Sequence, residues 1–285
     1  MLIKEYKATF LQMLVPLYDE MEAESFFHII LEFIHQKKRL DLALNPDMTM
    51  TEEEFSRWQS IVADLKIEKP IQYILGQTEF YGLPFNVNEH TLIPRPETEE
   101  LVDLIVNKYS DEAVFDSELK ILDIGTGSGC IAISLAKNLP NAKVYAIDVS
   151  DKALETARHN AEINQVEVGF ILKNILETED LGEQYTVIVS NPPYVRNLEK
   201  AEIKANVLAF EPHLALFVDD EDALLFYRKI AQLAKQNLTQ NGKLFFEINQ
   251  YLGKETVALL QNLGFHSVQL LQDIYGNDRM ICCGI

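Results

Sequence analysis

The later two thirds of the chain alternate short apolar runs with amphipathic stretches, and this alternation limits the possible folds more than any other feature. Runs typical of buried strands lie at residues 120–124, 143–147, 169–172, 186–190 and 243–248. Stretches typical of helices lie at residues 129–138, 151–163, 221–237 and 252–263. Short apolar strands that are separated by helices predict a parallel sheet with both faces covered.

Two further apolar runs, at residues 267–271 and 279–283, follow the last helical stretch with no room for a helix between them. We expect them to form an antiparallel pair at or near a sheet edge. With the five parallel strands they complete the seven-stranded, Rossmann-like sheet associated with class I S-adenosyl-L-methionine (SAM)-dependent methyltransferases. The predicted fold class is therefore α/β.

The first 70 or so residues show no strand-like alternation and indicate a small helical bundle. An apolar helical stripe runs through residues 24–39, and Thr51 with Glu54 has the spacing of a capping box. Between residues 69 and 92, glycines and prolines separate short aromatic and β-branched runs, as in a hairpin. We predict a helical domain for substrate recognition at 1–75, a β-hairpin linker at 76–92 and a methyltransferase domain at 93–285.

A glycine-rich turn follows the first of these strands, in the run Asp123-Ile124-Gly125-Thr126-Gly127-Ser128-Gly129. Glycine allows a tight turn and a close approach of backbone to a ligand. The spacing differs from the G-x-G-x-x-G of dinucleotide-binding proteins, and it suits a ligand with an amino-acid tail and no pyrophosphate. We expect Asp123 to help position the cationic end of that tail. A plain strand–helix turn is the alternative.

Asp148 ends the second strand of this series. A carboxylate at that place can accept hydrogen bonds from both ribose hydroxyls of a nucleoside. It could instead cap the helix that begins near Asp151. Because Ser150 can supply the cap, we favour the ribose for Asp148.

The run Asn191-Pro192-Pro193-Tyr194 follows the strand at residues 186–190. Ligands of open α/β sheets bind outside the carboxyl ends of strands, so this loop and the glycine turn should open onto one crevice. The Asn191 side-chain oxygen can accept one N–H of a planar amide, and the Pro192 carbonyl can accept the other. Consecutive prolines fix the loop, and Tyr194 offers an aromatic wall. The combination predicts methyl transfer to a planar nitrogen, although a proline turn could also simply cap the strand.

Charge and cysteine content limit which partners and which cellular compartment the sequence favours. A formal net charge of −19 disfavours nucleic-acid partners, which usually bind a basic patch, and we expect no direct DNA binding. The cysteines, Cys130, Cys282 and Cys283, form no disulfide framework or zinc motif, which suits a reducing cytoplasm. Cys130 would begin a helix, where a thiol pKa can fall, but packing against the sheet is the favoured role. We expect no metal site and no membrane segment.

These motifs together resemble the HemK/PrmC family, the protein-(glutamine-N5) methyltransferases of peptide chain release factors. The resemblance covers nearly the whole chain. It is carried by residues 70–76, 92–99, 121–132 and 190–194, by Glu211-Pro212 followed by Ala215-Leu216, and by Asp278-Arg279. The Pro-Arg-Pro-Glu-Thr-Glu segment at 94–99 together with Asn-Pro-Pro-Tyr is highly specific.

The resemblance implies SAM as cofactor and, as substrate, the glutamine in the Gly-Gly-Gln loop of class 1 release factors. Residues carried over to the cofactor site are Gly125, Thr126, Gly127, Ser128, Gly129, Asp148 and Asn191. Residues carried over to the glutamine site are Asn191, Pro192, Pro193 and Tyr194. Asn174 and Ile175 fall where the family often has an acidic residue and an aromatic near the adenine.

The chain departs from the family at that adenine position and at two others. Residues 218–221 replace the usual glycines, and Glu247-Ile248-Asn249 replaces Glu-Ile-Gly. Neither of these two departures touches the glycine turn or the Asn-Pro-Pro-Tyr loop, but both affect the rim of the crevice. Arg95, Glu97 and Glu211 could organise that rim or form ordinary ion pairs and caps.

Two other functions compete with this interpretation. An amino-methyltransferase that acts on an exocyclic base nitrogen of DNA or RNA needs the same loop chemistry, but it would want a basic surface and a recognition domain. A non-catalytic binding protein on the same fold is disfavoured by the intact glycines, Asp148 and Asn191.

Overall fold

The computed structural model describes residues 1–110 and 119–285. The chain divides into two compact units, Met1–Gly76 and Gln77–Ile285. All residues of the expected hairpin linker except Gly76 thus belong to the same unit as the sheet. The predicted three-part division at residues 75/76 and 92/93 stays a prediction.

The first unit is helical. Its helices are α1 (Ile3–Leu14), α2 (Glu20–His35), α3 (Arg39–Leu44), α4 (Glu52–Lys66) and α5 (Ile71–Leu75). The capping box forms at α4, where the Thr51 hydroxyl accepts the Glu54 N–H and the Glu54 carboxylate accepts the Thr51 N–H. α2 differs from the stripe expected at residues 24–39. It begins at Glu20, after the Asp19 cap, and it ends at His35, because the next residue, Gln36, is left-handed.

Aromatic packing around Trp58 forms the core of the first unit. The rings of Tyr6, Phe10 and Phe27 surround the indole, with centroids 5.0 to 5.6 Å away. The indole N–H donates to His35 Nε2 at 3.0 Å, so the buried polar group of Trp58 has a partner.

The second unit begins with a hairpin, β1 (Gln77–Phe80) and β2 (Leu83–Asn86), which is followed by α6 (Pro96–Tyr109). The other long elements are β3 (Lys120–Ile124), α7 (Cys130–Asn138), β4 (Lys143–Asp148), α8 (Asp151–Asn164), β5 (Gly169–Leu172), β6 (Tyr185–Ser190), α11 (Leu225–Asn237), β9 (Leu238–Glu247), α12 (Gly253–Asn262), β10 (His266–Gln272) and β11 (Asp278–Gly284).

Seven of these strands form one sheet in the order β10-β11-β9-β6-β3-β4-β5. β5, β4, β3, β6 and β9 are parallel, while β11 and β10 are antiparallel at one edge. The predicted α/β class and the antiparallel edge pair are therefore confirmed.

Alternate side chains along the strands face two apolar layers. Ile121 and Val187 pack on one face with α6, α7 and α8, whereas Leu122 and Ile188 pack on the other face with α11 and α12. Because helices cover both faces, ligand access is left to the strand ends.

Two predicted boundaries were wrong. β9 begins at Leu238 and not at residue 243, since its pairing with β6 shifts register between Tyr185 and Val187 and lets the strand extend backwards. α11 begins at Leu225 and not at residue 221. Asp219 caps a separate 3₁₀ turn at Asp220–Asp222 just before it.

The segment between β6 and α11 contains short elements that the sequence patterns did not reveal. They are β7 (Val195–Arg196), a 3₁₀ helix at Asn197–Glu202, α9 (Ala205–Phe210), α10 (His213–Leu216) and β8 (Phe217–Val218). β7 and β8 pair in parallel and close this segment into a loop beside the strand ends. Within residues 1–110 and 119–285, no helix combines the length and apolarity needed to cross a membrane.

Candidate active site

A crevice of about 340 Å³ opens at the carboxyl ends of β3, β4 and β6. Ile124 of β3 lies opposite Ile147 of β4 and Ser190 of β6, so the loops after the three strands start side by side. The Ser190 hydroxyl donates to the Ile124 carbonyl at 2.6 Å and ties two of these strand ends together. Predicted site residues that line the crevice are Gly125, Gly127, Asp148, Asn174, Ile175, Asn191, Pro192 and Pro193.

Two glycines of the turn face the crevice. Gly125 and Gly127 have φ values of +78° and +57°, and a Cβ on either residue would point into open space. The turn uses its N–H groups internally. Gly125 and Thr126 donate to the Ile147 carbonyl, and Gly129 donates to the Thr126 carbonyl. The N–H groups of these three residues therefore have partners within the protein.

Thr126, Ser128 and Gly129 lie behind the turn and do not line the crevice, unlike their assignment as cofactor contacts. Gly129 packs against α8, where a Cβ would approach the Ala157 Cβ to 3.1 Å. These three residues shape the turn from the protein side.

Asp123 also differs from its expected position. Its side chain is fully buried, and its Oδ2 accepts the Thr126 hydroxyl at 2.6 Å. Burial raises the carboxyl pKa to about 7, while the Thr126 hydroxyl and the nearby Ala132 N–H oppose that rise. Oδ1 has no partner of normal hydrogen-bond geometry among the described residues. In this arrangement Asp123 holds the turn and is not among the residues that line the crevice.

Asp148 lies at the end of β4 and faces the crevice. Its Oδ2 accepts the Gly127 N–H at 2.8 Å and its Oδ1 accepts the Ser150 N–H at 2.9 Å. The Ser150 hydroxyl accepts the Ala153 N–H and caps α8, so the alternative role of Asp148 as the cap does not apply. Burial raises the pKa of Asp148 and the two N–H donors lower it. Each oxygen retains capacity to accept a further hydrogen bond.

Asn174 and Ile175 line the crevice beyond Asp148. The Asn174 side-chain oxygen accepts the Leu176 N–H at 3.1 Å, and its carbonyl accepts the Thr178 hydroxyl at 2.7 Å. Asn174 is therefore held in place by its own loop. Its side-chain nitrogen has no partner among the described residues, which leaves a donor for a base.

Three residues of the Asn-Pro-Pro-Tyr loop, Asn191 to Pro193, line the crevice, whereas Tyr194 does not. The Asn191 side-chain nitrogen donates to the Thr98 hydroxyl at 3.3 Å, and its oxygen has no partner within the described part of the chain. Tyr194 instead packs on the apolar layer of α11, and its hydroxyl donates to the Glu247 carboxylate at 3.1 Å. Tyr194 thus does not form the expected wall of the crevice; it anchors the loop.

Glu247, the last residue of β9, is a site residue to which the sequence patterns assigned no role. Its carboxylate is 1% exposed and accepts the Thr98 hydroxyl at 2.6 Å in addition to that of Tyr194. Burial raises its pKa, whereas the two hydroxyl donors and the charge of Arg279 lower it. The only sequence signal for a role of Glu247 was its position as a carboxylate at a strand end. Its contacts with Tyr194 and Thr98, each more than 50 residues away in sequence, cannot be read from a single sequence.

The rim is held by a second buried carboxylate. Glu211 accepts hydrogen bonds from the Arg95 guanidinium and from the Ile93 N–H, which fixes the segment before α6. Asn249, at the position where the family has glycine, donates to the Tyr194 carbonyl at 3.0 Å and to the Glu199 carboxylate. The expectation that this departure leaves the Asn-Pro-Pro-Tyr loop untouched was therefore wrong, because the Asn249 side chain bonds directly to the backbone of the loop.

The remaining candidates for chemistry are the Cys130 thiol and a metal site. Burial raises the pKa of the Cys130 thiol to about 12, which favours packing over reactivity. The described residues contain no cluster of His, Cys, Asp or Glu side chains that could hold a metal ion.

Comparisons with known proteins identify the family. A family model of the methyltransferase small domain matches residues 103–213, and a model of the PrmC N-terminal domain matches residues 17–76. A release factor glutamine methyltransferase of Flavobacterium psychrophilum is 63% identical over 281 residues, covering 99% of this chain and 98% of the relative. The chain belongs to the release factor glutamine methyltransferase family. The resemblance to HemK/PrmC is thereby confirmed.

More distant members and structures agree with this assignment. The release factor glutamine methyltransferase of Bacteroides thetaiotaomicron is 46% identical over 243 residues, which is 85% of each chain. A crystal structure of a methyltransferase from Pyrococcus furiosus superposes with a TM-score of 0.50 at 20% identity, covering 82% of this chain and all (100%) of that one. At this identity the superposition supports the fold alone.

Proposed function

We propose that this protein transfers the methyl group of SAM to the side-chain amide nitrogen of the glutamine in the Gly-Gly-Gln loop of class 1 release factors. The proposal rests above all on one observation. The glycine turn and the Asn-Pro-Pro-Tyr loop leave adjacent strands at the same level, Ile124 opposite Ser190, and both line one crevice. A cofactor on the first loop and an amide on the second would lie within reach of each other.

The crevice residues fit SAM. Gly125 and Gly127 leave room for the amino-acid tail because neither has a side chain to fill that space. The free acceptor capacity of Asp148 suits the ribose hydroxyls, and Asn174 with Ile175 would bound the adenine. Bound SAM supplies an electrophilic methyl group on a positively charged sulfur.

Asn191 and Pro192 suit the amide. The unpartnered Asn191 oxygen can accept one N–H of the glutamine NH₂ group, and the Pro192 carbonyl can accept the other. Two acceptors orient the nitrogen lone pair toward the methyl carbon. Methyl transfer would form the carbon–nitrogen bond as the carbon–sulfur bond breaks with its electron pair moving to sulfur, and the methylated nitrogen would release its proton to solvent water. Positioning and exclusion of water supply most of the rate.

Charge and family favour a protein substrate. The net charge of −19 disfavours nucleic-acid bases as substrates, although their exocyclic amines would need the same loop. The relatives in Flavobacterium and Bacteroides are release factor glutamine methyltransferases. Since release factors act on cytoplasmic ribosomes, the cytoplasm is the proposed location.

The test is an assay with methyl-labelled SAM and a purified class 1 release factor, followed by mass spectrometry of the digested product. We expect a single methyl group on the Gly-Gly-Gln glutamine. A release factor with that glutamine replaced by alanine is the matched control and should remain unlabelled. Label on another residue, or no label on the intact factor, would contradict the proposal.

A further inference from the structure

Thr98 and Glu247 form a buried chain of hydrogen bonds that ends on Asn191. The Asn191 side-chain nitrogen lies 3.3 Å from the Thr98 hydroxyl oxygen, which lies 2.6 Å from Glu247 Oε2. Thr98 is 2% exposed and Glu247 is 1% exposed. We propose that Thr98 and Glu247 are positioning residues that fix the Asn191 amide with its oxygen toward the substrate. This inference rests on the proposed function.

The direction of each hydrogen bond follows from the chemistry of the three groups. An ionised carboxylate only accepts, so the single hydroxyl hydrogen of Thr98 must point to Glu247. The Thr98 oxygen can then only accept from Asn191. The Asn191 side chain therefore has to present its NH₂ group to Thr98, which leaves its oxygen for the crevice.

The second oxygen of Glu247 supports this donor-to-acceptor direction of the hydrogen-bond chain. Oε1 accepts the Tyr194 hydroxyl at 3.1 Å, so donors occupy both carboxylate oxygens. Burial raises the pKa of Glu247, and the two hydroxyl donors and the charge of the Arg279 guanidinium act against that rise by favouring the ionised form. One carboxylate thus fixes Asn191 through Thr98 and anchors Tyr194 at the other end of the loop.

A rotated Asn191 amide would defeat the reaction. An amide side chain can turn by 180° at little steric cost, since its oxygen and nitrogen have nearly the same size. Turned over, Asn191 would present N–H groups to the N–H groups of the glutamine, and the substrate nitrogen would lose an acceptor. Asn191 itself could still occupy the same space, so cofactor binding would change little.

The three residues come from separate parts of the fold. Thr98 is in the first turn of α6, Asn191 follows β6, and Glu247 ends β9, the strand next to β6. Burial of a carboxylate is costly unless it is well paired. Its place beside the reacting loop suggests that it serves orientation more than stability.

The variants that test this role are Thr98→Val, which keeps the shape and removes the hydroxyl, and Thr98→Ser, which keeps the hydroxyl. We expect Thr98→Val to lower kcat about 10- to 100-fold, with the dissociation constant of SAM unchanged within about twofold. Thr98→Ser should retain most of kcat. In the double variant Thr98→Val/Asn191→Ala, the valine should cause no further loss beyond that of Asn191→Ala.

Glu247→Gln serves as the second variant, because it is isosteric and does not depend on how Thr98→Val folds. A glutamine there can donate to Thr98 and reverse the chain, so we expect a similar fall in kcat. Normal kcat in a folded Thr98→Val or Glu247→Gln protein would overturn the inference, as would additive effects in the double variant.

A readout independent of turnover separates this inference from the proposed function. The Asn191 side-chain NH₂ signals, assigned by their loss in Asn191→Ala, should shift and exchange faster with solvent in Thr98→Val than in wild type. Unchanged signals would refute the positioning role. If the wild-type protein failed to label release-factor glutamine, the proposed function would fall, while the NMR comparison would still decide the positioning role.

Discussion

At the scale of single residues, Asn191 makes the most specific contribution to the proposed reaction. Asn191 lines the crevice, its side-chain oxygen has no partner among the described residues, and its side-chain nitrogen donates to the Thr98 hydroxyl. Asn191→Ala should lower kcat about 100- to 1000-fold, as loss of a preorganised hydrogen-bonding group does in other enzymes. The dissociation constant of SAM should change little.

Single-turnover kinetics and calorimetry measure these two quantities for Asn191→Ala. The matched control is Asn138→Ala, since Asn138 lies at the end of α7 and, within residues 1–110 and 119–285, its side chain donates only to the Ser134 carbonyl. Full activity of Asn191→Ala would remove Asn191 from the reaction.

Asp148 tests the cofactor side of the crevice. Asp148→Ala removes the acceptor expected to bind the ribose and frees the Gly127 N–H, so SAM affinity should fall about 10- to 100-fold by calorimetry. Asp151→Ala, which removes an exposed carboxylate three residues further on, should leave the affinity unchanged. Equal affinities for both variants and the wild type would exclude the ribose contact.

Residue types at strand ends made Asn191 and Asp148 predictable, because their chemistry is local. Thr98 and Glu247 were not given roles, since their contacts form only in the tertiary fold. Thr98 meets Asn191 across 93 residues of sequence, and Glu247 meets Thr98 across 149. Asp123 and Tyr194 were placed in contact with ligands because the sequence does not reveal which face of a turn or loop a side chain occupies.

At the scale of elements, apolar periodicity located the five parallel strands and the long helices of the sheet domain. It failed where structure depends on pairing or capping. The backward extension of β9 follows from a register shift against β6, and the late start of α11 follows from the Asp219 cap. The elements between β7 and β8 are too short to show periodicity.

The glycine turn allows a prediction about element packing. Gly129 has a φ of +82°, and a Cβ there would approach Ile133 Cδ1 to 2.8 Å and Ala157 Cβ to 3.1 Å. Gly129→Ala should therefore lower the free energy of unfolding by about 2–4 kcal/mol, from backbone strain and overpacking together. Urea denaturation measures the change.

Gly182→Ala is the control for backbone strain alone. Gly182 has a φ of +84° and nothing within 4 Å of its Cβ position. It should cost only the strain, about 1–2 kcal/mol. Equal losses at both positions would show that the contact between α7 and α8 at Gly129 is not tight.

At the scale of the whole molecule, charge separates the two enzyme classes that share the loop chemistry. With a net charge of −19, the protein should not shift duplex DNA in a gel at moderate salt, about 150 mM. Bovine serum albumin, another acidic protein, sets the baseline. A clear shift would favour the base amino-methyltransferase.

The sequence motifs alone indicate the family, because strand-end chemistry and the segment at 94–99 are both specific. Full-length similarity to a relative with 63% identity agrees with that assignment.

The proposed reaction requires that a bound sulfonium and a glutamine amide meet between two adjacent strand ends. A crystal structure of the protein with S-adenosylhomocysteine and a class 1 release factor tests this requirement most directly. We predict the glutamine nitrogen at about 3 Å from both the Asn191 side-chain oxygen and the Pro192 carbonyl, with the cofactor sulfur beside Gly125 and Gly127. A glutamine bound elsewhere, or a sulfur on another edge of the sheet, would contradict it.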